Sequence, residues 1–162
     1  MKIERLTPSA APAYRALMLQ AYSAHPDAFT SSATERVALP LAWWEARLST
    51  DPLAHELVLA ALDGEDLAGV VGLSFDTREK ARHKVTVLGM YVPERYRQHG
   101  LGRQLLQAAL SQARQRDGVR VVQLTVTFGN RIAQALYESC GFISFGIEPQ
   151  AVAVGDRFVA KG

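Results

Sequence analysis

Cysteine is almost absent from the sequence: Cys140 is the only one in 162 residues. One cysteine cannot close a disulfide within the chain, and no cysteine–histidine cluster has the spacing of a structural zinc site. The four histidines are scattered as well, so we predict no metal site. Cys140 is best interpreted as a small apolar residue on a helix. This cysteine usage favours a reducing compartment, and we expect a cytoplasmic protein.

Long apolar runs and a strong charge imbalance are also missing. No uninterrupted apolar stretch approaches ~18 residues, and charges interrupt the N-terminal segment at once, so we expect neither a membrane span nor a signal peptide. A net charge of +2 is too small for a protein that holds nucleic acid by charge alone. The hydrophobic content of 48% and the length of 162 residues predict one globular domain, residues 1–162.

The apolar periodicity predicts alternating helices and strands. Asp63-Gly64 between two apolar runs is a strong hairpin signal, and the helices between the later strands favour parallel neighbours in a mixed α/β sheet. We expect strands at 2–6, 56–62, 67–75, 85–92, 119–128 and 142–147, a weak last strand at 156–160, and helices at about 8–25, 40–48, 101–116 and 130–140.

The segment from Met90 to Arg103 carries the strongest functional signal. A strand runs into a glycine-containing loop that opens a helix, which aims backbone N–H groups at one point and favours a phosphate there. No Gly-Lys-Ser/Thr is present, and Leu105 stands where a dinucleotide fingerprint needs its third glycine. From the glycines alone, a simple tight turn at Gly100 and Gly102 explains the pattern equally well.

Positive charge is concentrated on the same segment. From Arg78 to Arg103 there are seven Lys+Arg and two Asp+Glu, a local charge of +5, while the rest of the chain carries −3. A polyanionic ligand would require such a segment. A solvated turn explains residues 78–84 as well, but it explains Arg97 and Arg103 less well because they flank the glycines.

Two motifs resemble the GNAT superfamily of N-acetyltransferases. The segment Arg97-Gln98-His99-Gly100-Leu101-Gly102 is similar to its coenzyme A loop, Arg/Gln-x-x-Gly-x-Gly/Ala, and the run from Asn130 to Phe142 is similar to its Asn, Ala, Leu-Tyr-Glu, Gly-Phe signature. The matched order extends over about residues 84–147. The resemblance implies a single-domain, mixed and mostly antiparallel sheet with flanking helices and a splayed central pair of parallel strands.

The resemblance also implies acetyl-CoA as co-substrate and a role for each matching residue. The backbone of Met90, Tyr91 and Val92 would pair with the pantetheine arm and the acetyl carbonyl, and Asn130 would bond the arm. The pyrophosphate would lie against the loop, whose residues are Arg97, Gln98, His99, Gly100, Leu101, Gly102 and Arg103.

Three positions on these segments can also be judged from the residue types. Gly89 inside an apolar strand predicts a bulge that frees an amide to stabilise an oxyanion, although relief of packing is an alternative. Asn130 is predicted to cap its helix. Tyr137 by itself resembles a core aromatic residue, and only the resemblance makes it the general acid that protonates the leaving thiolate.

The general base is where the sequence departs from familiar members of the family. Thr86 and Thr125 stand where many members have a glutamate, and neither hydroxyl is a useful base. The proton would leave through water or another group, and each candidate is also a plausible surface residue. These candidates are Glu35, Asp76, His83 and Glu148.

We therefore expect an acyltransferase that moves acetyl from acetyl-CoA to a small-molecule amine by direct attack. The alternatives are a protein N-terminal or lysine acetyltransferase, a non-catalytic acyl-CoA-binding module and a protein-interaction domain. Residues 27–39 and 148–156 are expected to enclose the acceptor, and Trp43 or Trp44 is a candidate for its pocket. Completion of the weak last strand by another subunit would make the protein a homodimer.

Overall fold

One sheet of five strands organises the fold in the computed structural model, which describes residues 1–162. The strand order is β1-β2-β3-β4-β5; neighbours as far as β4 are antiparallel, and β4 and β5 are parallel. The mixed, mostly antiparallel sheet predicted from the sequence is confirmed. The strands are β1 (Lys2–Arg5), β2 (Glu56–Asp63), β3 (Asp66–Phe75), β4 (Lys84–Tyr91) and β5 (Val121–Gln123).

Helices cover both faces of this sheet. Strand β2 alternates between them: Leu57 and Leu59 pack in the cluster that contains α4, whereas Val58 and Ala60 pack in the cluster that contains α1 and Trp44. Four of the five helices lie close to where the sequence predicts them, and α2 lies within residues 27–39, which the sequence predicts as a loop or short irregular helix. They are α1 (Ala11–Ala24), α2 (Ala33–Val37), α3 (Leu41–Arg47), α4 (Leu101–Arg114) and α5 (Arg131–Ser139).

The two parallel strands separate after a short stretch of pairing. Their register runs from Lys84 opposite Val121 to Thr86 opposite Gln123 and then ends. The rest of β4 therefore has no partner on the β5 side. The predicted splay of the central pair is confirmed, and it opens the sheet beside the loop between β4 and α4.

A bulge interrupts β4 within this open part. Tyr91 pairs with Val70 and Leu88 pairs with Gly72, so three steps along β4 face two steps along β3. The extra residue lies at Gly89 and Met90. Gly89 has a φ of +61°, a conformation that residues with a side chain rarely adopt. The bulge predicted from Gly89 is confirmed.

A separate hairpin follows α5, formed by β6 (Glu148–Val154) and β7 (Arg157–Lys161). It contacts the rest of the chain through residues 126–128. The amide of Val126 donates to the carbonyl of Gly162 at 2.9 Å, and the amide of Gly162 donates to the carbonyl of Val126 at 2.9 Å.

The strand predicted at 142–147 is wrong, because these residues form no helix or strand. Strand β7 pairs with β6 and residues 126–128, and residues 143–147 make no backbone hydrogen bond to any strand. The strand predicted at 119–128 is reduced to Val121–Gln123, since its pairing with β4 lasts only three positions.

Candidate active site

The loop between β4 and α4 presents a row of unused backbone donors. From Gln98 through Arg103 no backbone N–H donates to a protein acceptor, and the helical bonding begins when Gln104 donates to the carbonyl of Gly100 at 3.1 Å. Gln98 and Gly100 both have positive φ, +66° and +72°. Successive amides with left-handed residues among them form an anion-binding concavity, and an unfavourable φ at a non-glycine residue is typical of functional sites.

Gly102 lies where this loop meets two other elements. A Cβ at position 102 would lie 3.2 Å from Met90 Cε and 3.4 Å from Leu136 Cδ2. The start of α4, the bulged part of β4 and the inner side of α5 therefore converge on one point. The motif residues that are distant in sequence are thus brought together.

Both arginines that flank the glycines are bonded to the protein. Arg97 donates through Nε to the carbonyl of Val92 at 2.9 Å, and Arg103 donates through Nη2 to Ser139 Oγ at 2.7 Å. Arg103 also lies 3.9 Å from the sulfur of the half-buried Cys140. Their charges remain beside the loop, and the remaining guanidinium N–H groups add to the unused backbone amides there.

Helix α5 begins and ends near the open part of the sheet. Asn130 Oδ1 accepts from the amide of Ala133 at 3.2 Å, which confirms the predicted N-cap. Tyr137 is half-buried, with its ring centroid 6.0 Å from that of Phe142, and its hydroxyl has no hydrogen-bond partner in the protein. Burial raises the pKa of the Tyr137 hydroxyl above 10.0, so it keeps its proton at neutral pH.

A cavity lies beside β5 and α5. Its volume is about 500 Å³, and Tyr137 and Phe142 line it together with residues 121–124. None of the loop residues 97–103 belongs to its wall. Tyr137 lines this cavity, and its neighbour Leu136 lies near Gly102 and Met90.

Two of the four candidate bases lie at the wrong end of β4. Asp76 and His83 flank the start of that strand, and six residues between Lys84 and Met90 span about 20 Å. Hydrogen bonds from Arg78 lower the pKa of Asp76 to about 2, which makes its carboxylate a weak base. The other two candidates, Glu35 on α2 and Glu148 on β6, are exposed.

The turn after α1 contacts the loop, which the sequence does not predict, since His25-Pro26 there indicates only the end of the helix. His25 Nε2 lies 3.1 Å from Arg97 Nη2, and the His25 ring centroid is 5.7 Å from that of Tyr91. A turn that contains a histidine was the only signal, since these contacts come from residues about seventy positions away.

Asp27 extends this turn toward the other side of the site. Its carboxylate accepts from Arg157 Nη2 at 2.8 and 2.9 Å, and its carbonyl accepts from Thr127 Oγ1 at 2.7 Å. A second cavity, of about 430 Å³, opens here between His25, Asp27, Thr127 and Asn130. The turn therefore contacts the loop of residues 97–103, the segment after β5 and the C-terminal hairpin.

The two adjacent tryptophans differ as expected for neighbours on a helix. Trp44 is fully buried and packs edge-on against Tyr14, with centroids 5.8 Å apart. Trp43 lies between two guanidinium groups, those of Arg36 at 4.4 Å and Arg47 at 5.0 Å from its ring. One tryptophan packs inward, as predicted.

No group of three or more His, Cys, Asp or Glu side chains is arranged to hold a metal ion. The structure also contains no helix with the length and apolar character needed to cross a membrane.

Comparisons with known proteins agree on one family. The sequence pattern of the Acetyltransferase (GNAT) family matches residues 16–142. YfmK of Bacillus subtilis, an uncharacterized N-acetyltransferase, is 31% identical over 106 residues, which are 65% of this chain and 66% of that protein, slightly less than two thirds of its length. The chain belongs to the GNAT family of acetyltransferases.

Solved structures support the same assignment. An acetyltransferase of the GNAT family from Streptococcus pneumoniae is 25% identical with a TM-score of 0.88, covering 99% of this chain and 95% of that one. YncA of Salmonella typhimurium, solved with its cofactor acetyl-CoA, is 23% identical with a TM-score of 0.80, covering 99% and 90%. The architecture implied by the loop and helix motifs is therefore confirmed.

Proposed function

We propose that this protein transfers the acetyl group of acetyl-CoA to a primary amine of a small molecule. The observation that carries the proposal is the row of unused amides from Gln98 to Arg103 next to the bulge of β4. A pyrophosphate accepts several such donors at once, and the helix dipole of α4 favours its charge. A relative of the same fold was solved with acetyl-CoA.

The coenzyme would lie along the splayed part of the sheet. Gln98, His99, Gly100, Leu101, Gly102 and Arg103 would hold its pyrophosphate through their backbone, with Arg97 beside them. Met90, Tyr91 and Val92 would pair with the pantetheine arm, and Asn130 would contact that arm from the start of α5. Bound there, acetyl-CoA supplies a thioester whose carbonyl carbon is open to attack by an amine.

The chain's own groups would lower the barrier in two ways. The bulge at Gly89 and Met90 turns backbone away from β3, and an amide freed there would stabilise negative charge as it develops on the carbonyl oxygen. Tyr137 would donate its proton to the leaving sulfur, since burial keeps its hydroxyl protonated and no protein group competes for that proton.

The acceptor would bind on the side of the turn after α1. The cavity between His25, Asp27, Thr127 and Asn130 has about 430 Å³, a size typical of small-molecule sites. Residues 27–39 and 148–156 would enclose it, and the ion pair of Asp27 with Arg157 connects the first segment to β7, which follows the second segment in the hairpin. This geometry supports a small amine over the protein N-terminus or lysine considered from the sequence.

A non-catalytic acyl-CoA-binding module is the second candidate. Threonines at 86 and 125 replace the glutamates of other members, and Asp76 and His83 lie about 20 Å from the bulge. In the catalytic proposal water takes the amine proton. If the protein is a non-catalytic module, it would bind acyl-CoA and no amine would be acetylated.

We also propose that residues 1–162 act as one domain, that the protein works in the cytoplasm, and that it associates with a second copy of itself. The first two rest on length and on the single cysteine. Self-association is supported by the large apolar side chains exposed between residues 121 and 158.

The test is thiol release from acetyl-CoA across a panel of small amines and peptides, with calorimetry of coenzyme A binding on the same sample. Release with a small amine supports the proposal. Release only with peptides would make the protein a peptide acetyltransferase, and binding without release would favour the module. No binding at all would overturn both candidates and leave a protein-interaction domain.

A further inference from the structure

Arg36 on α2 has a half-buried guanidinium group without a counterion. Its Cζ lies 4.4 Å from the centroid of the Trp43 ring and 6.0 Å from that of the Tyr22 ring. Its Nη2 donates to Ser31 Oγ at 2.6 Å, but its Nη1 is shielded from solvent and has no acceptor in the protein. No carboxylate of the chain forms an ion pair with it. Leaving a shielded cationic donor unpaired is costly, so the Nη1 group favours an acceptor from outside the chain.

A second arginine and a second unpaired donor lie close by on α3. Trp44 is fully buried, its Nε1 has no acceptor in the protein, and its ring lies 5.0 Å from that of Trp43. Arg47 Cζ lies 5.0 Å from the Trp43 ring on its own side, and Arg47 Nε is 3.6 Å from Glu56 Oε2. Because Glu56 balances Arg47, the charge of Arg36 remains uncompensated in this cluster.

Two tyrosines of α1 complete the cluster. The ring of Tyr14 packs edge-on against Trp44 at 5.8 Å, and the ring of Tyr22 lies beside Arg36. Burial raises the pKa of Tyr14 to about 12 and also raises the pKa of Tyr22, while the charges of Arg36 and Arg47 oppose both changes. Both hydroxyls therefore keep their protons at neutral pH and can donate. A positive cluster rich in donors favours an anion, and the planar edge of a guanidinium group fits a carboxylate.

This cluster lies about one helical turn from the bulge of β4. A Cβ at position 89 would lie 3.7 Å from Met18 Cε, so α1 packs against the bulge at Met18. Tyr22 follows Met18 by four residues on the same helix, a rise of about 6 Å. A small molecule can therefore extend from the bulge to Arg36.

We propose that the acceptor amine also carries a carboxylate, and that Arg36 binds this carboxylate. The acceptor is then a small aminocarboxylate, whose amine lies at the bulge of β4 and whose carboxylate accepts from the guanidinium group. Residues 27–39, proposed above to enclose the acceptor, include Arg36. The inference rests on the proposed acetyl transfer and specifies its substrate class.

Thiol release from acetyl-CoA with matched pairs of amines tests the substrate class. Within each pair only the first compound has the carboxylate: lysine and cadaverine, tyrosine and tyramine, β-alanine and ethylamine. In at least one pair, kcat/KM should be roughly ten- to a hundredfold higher for the compound with the carboxylate, the factor expected for hydrogen bonds to a charged group. Equal values within every pair overturn the proposal.

Variants of Arg36 test the binding residue. Arg36→Gln removes the charge and should raise the KM for the aminocarboxylate by a similar factor, while the KM for the amine without the carboxylate stays nearly constant. Arg36→Lys keeps the charge without the planar edge and should retain part of the preference. A folded Arg36→Gln that keeps the full preference overturns the proposal. Circular dichroism checks the fold of each variant.

Arg15→Gln is the matched control. Arg15 Nη2 donates to the carbonyl of Val37 at 3.1 Å, so this variant loosens the end of α2 without removing a group of the cluster. The preference for the carboxylate should persist in Arg15→Gln. If both glutamine variants lose the preference to the same extent, Arg36 acts only through the position of α2, and the proposal is overturned.

Calorimetry without turnover separates this inference from the proposed enzyme. The preferred aminocarboxylate is titrated into the wild type and into Arg36→Gln, each loaded with coenzyme A, and its Kd should be roughly tenfold or more higher for the variant. If lysine, tyrosine or β-alanine binds in this Arg36-dependent way but no amine releases thiol, the acetyl transfer fails and the carboxylate site stands. Thiol release that ignores both the carboxylate and Arg36 leaves the enzyme and overturns the site. Absence of both binding and release for all three aminocarboxylates overturns the site as well.

Discussion

His25 and Arg97 connect the end of α1 to the loop of residues 97–103, with 3.1 Å between His25 Nε2 and Arg97 Nη2. A guanidinium can only donate, so Nε2 accepts and the imidazole proton is assigned to Nδ1. The same arginine donates to the carbonyl of Val92 at 2.9 Å. One side chain therefore fixes the loop against both β4 and the turn after α1.

Replacing His25 should loosen this connection and weaken coenzyme binding. Loss of one hydrogen bond to a charged donor is worth about 1.5 kcal/mol, so His25→Ala should raise the Kd for coenzyme A roughly tenfold. The KM for acetyl-CoA should rise more than kcat falls, because His25 positions Arg97 rather than taking part in the reaction. Calorimetry and steady-state kinetics measure the two effects.

Two further variants control this prediction. His25→Gln keeps an oxygen that can accept from Arg97 and should recover most of the affinity, whereas the exposed His55→Ala should have no effect. Equal losses in His25→Ala and His25→Gln would contradict the positioning role.

Alanine variants at Gly100 and Gly118 distinguish the effect of backbone strain from an effect on coenzyme A binding. Both have positive φ, +72° and +85°, and a Cβ at either position would meet no atom within 4 Å. Replacement by alanine should cost each about 1 kcal/mol of unfolding free energy. Only Gly100→Ala should also weaken coenzyme A binding, because position 100 lies among the unused amides while position 118 lies beyond the other end of α4. Urea unfolding and calorimetry on both variants make the comparison; equal binding losses would refute the anion site.

Tyr137→Phe tests the general acid. Removing the hydroxyl should lower kcat about a hundredfold while leaving the Kd for coenzyme A nearly unchanged, since the ring packing on Phe142 is retained. An unchanged kcat would exclude the role.

The pH dependence of the wild type follows from the same tyrosine. Burial raises the pKa of Tyr137 above 10.0, so the acid stays protonated as the pH rises through 10 and its loss begins only above that value. A plot of kcat against pH should therefore show no decline from this group below pH 10. The contribution of protonated Tyr137 to the free energy of unfolding is fully present below pH 10. It is lost as the pH rises through the pKa of Tyr137 in the folded protein. A Tyr137-dependent decline near neutral pH would contradict the assignment.

Local signals in the sequence predicted most of the fold. Asp63-Gly64 predicted the β2–β3 hairpin, Gly89 predicted the bulge of β4, and Asn130 predicted the start of α5. Each of these depends on the conformation of a few neighbouring residues, so each is visible in a short stretch of sequence.

The failures depend on residues distant in the chain. The segment 142–147 has the pattern of a strand, but a strand also requires a neighbour, and β7 pairs elsewhere. The contacts of His25 with Arg97 and of Asp27 with Arg157 join positions that are 72 and 130 residues apart. No period or motif in a single sequence reports such pairs, so these two contacts are visible only in the structure.

The ion pair of Asp27 with Arg157 should matter more for the acceptor than for stability. Its side chains are 40% and 55% exposed, and exposed pairs contribute less than about 1 kcal/mol, so Arg157→Ala should barely change the unfolding free energy. Because the pair holds Asp27, which lines the smaller cavity, against β7, the same variant should raise the KM for the acceptor amine and leave the KM for acetyl-CoA nearly constant. The charge exchange Asp27→Arg with Arg157→Asp restores the attraction and should recover part of the loss. Equal increases in both KM values, or a double variant no better than Arg157→Ala, would show that the pair does not shape the acceptor site.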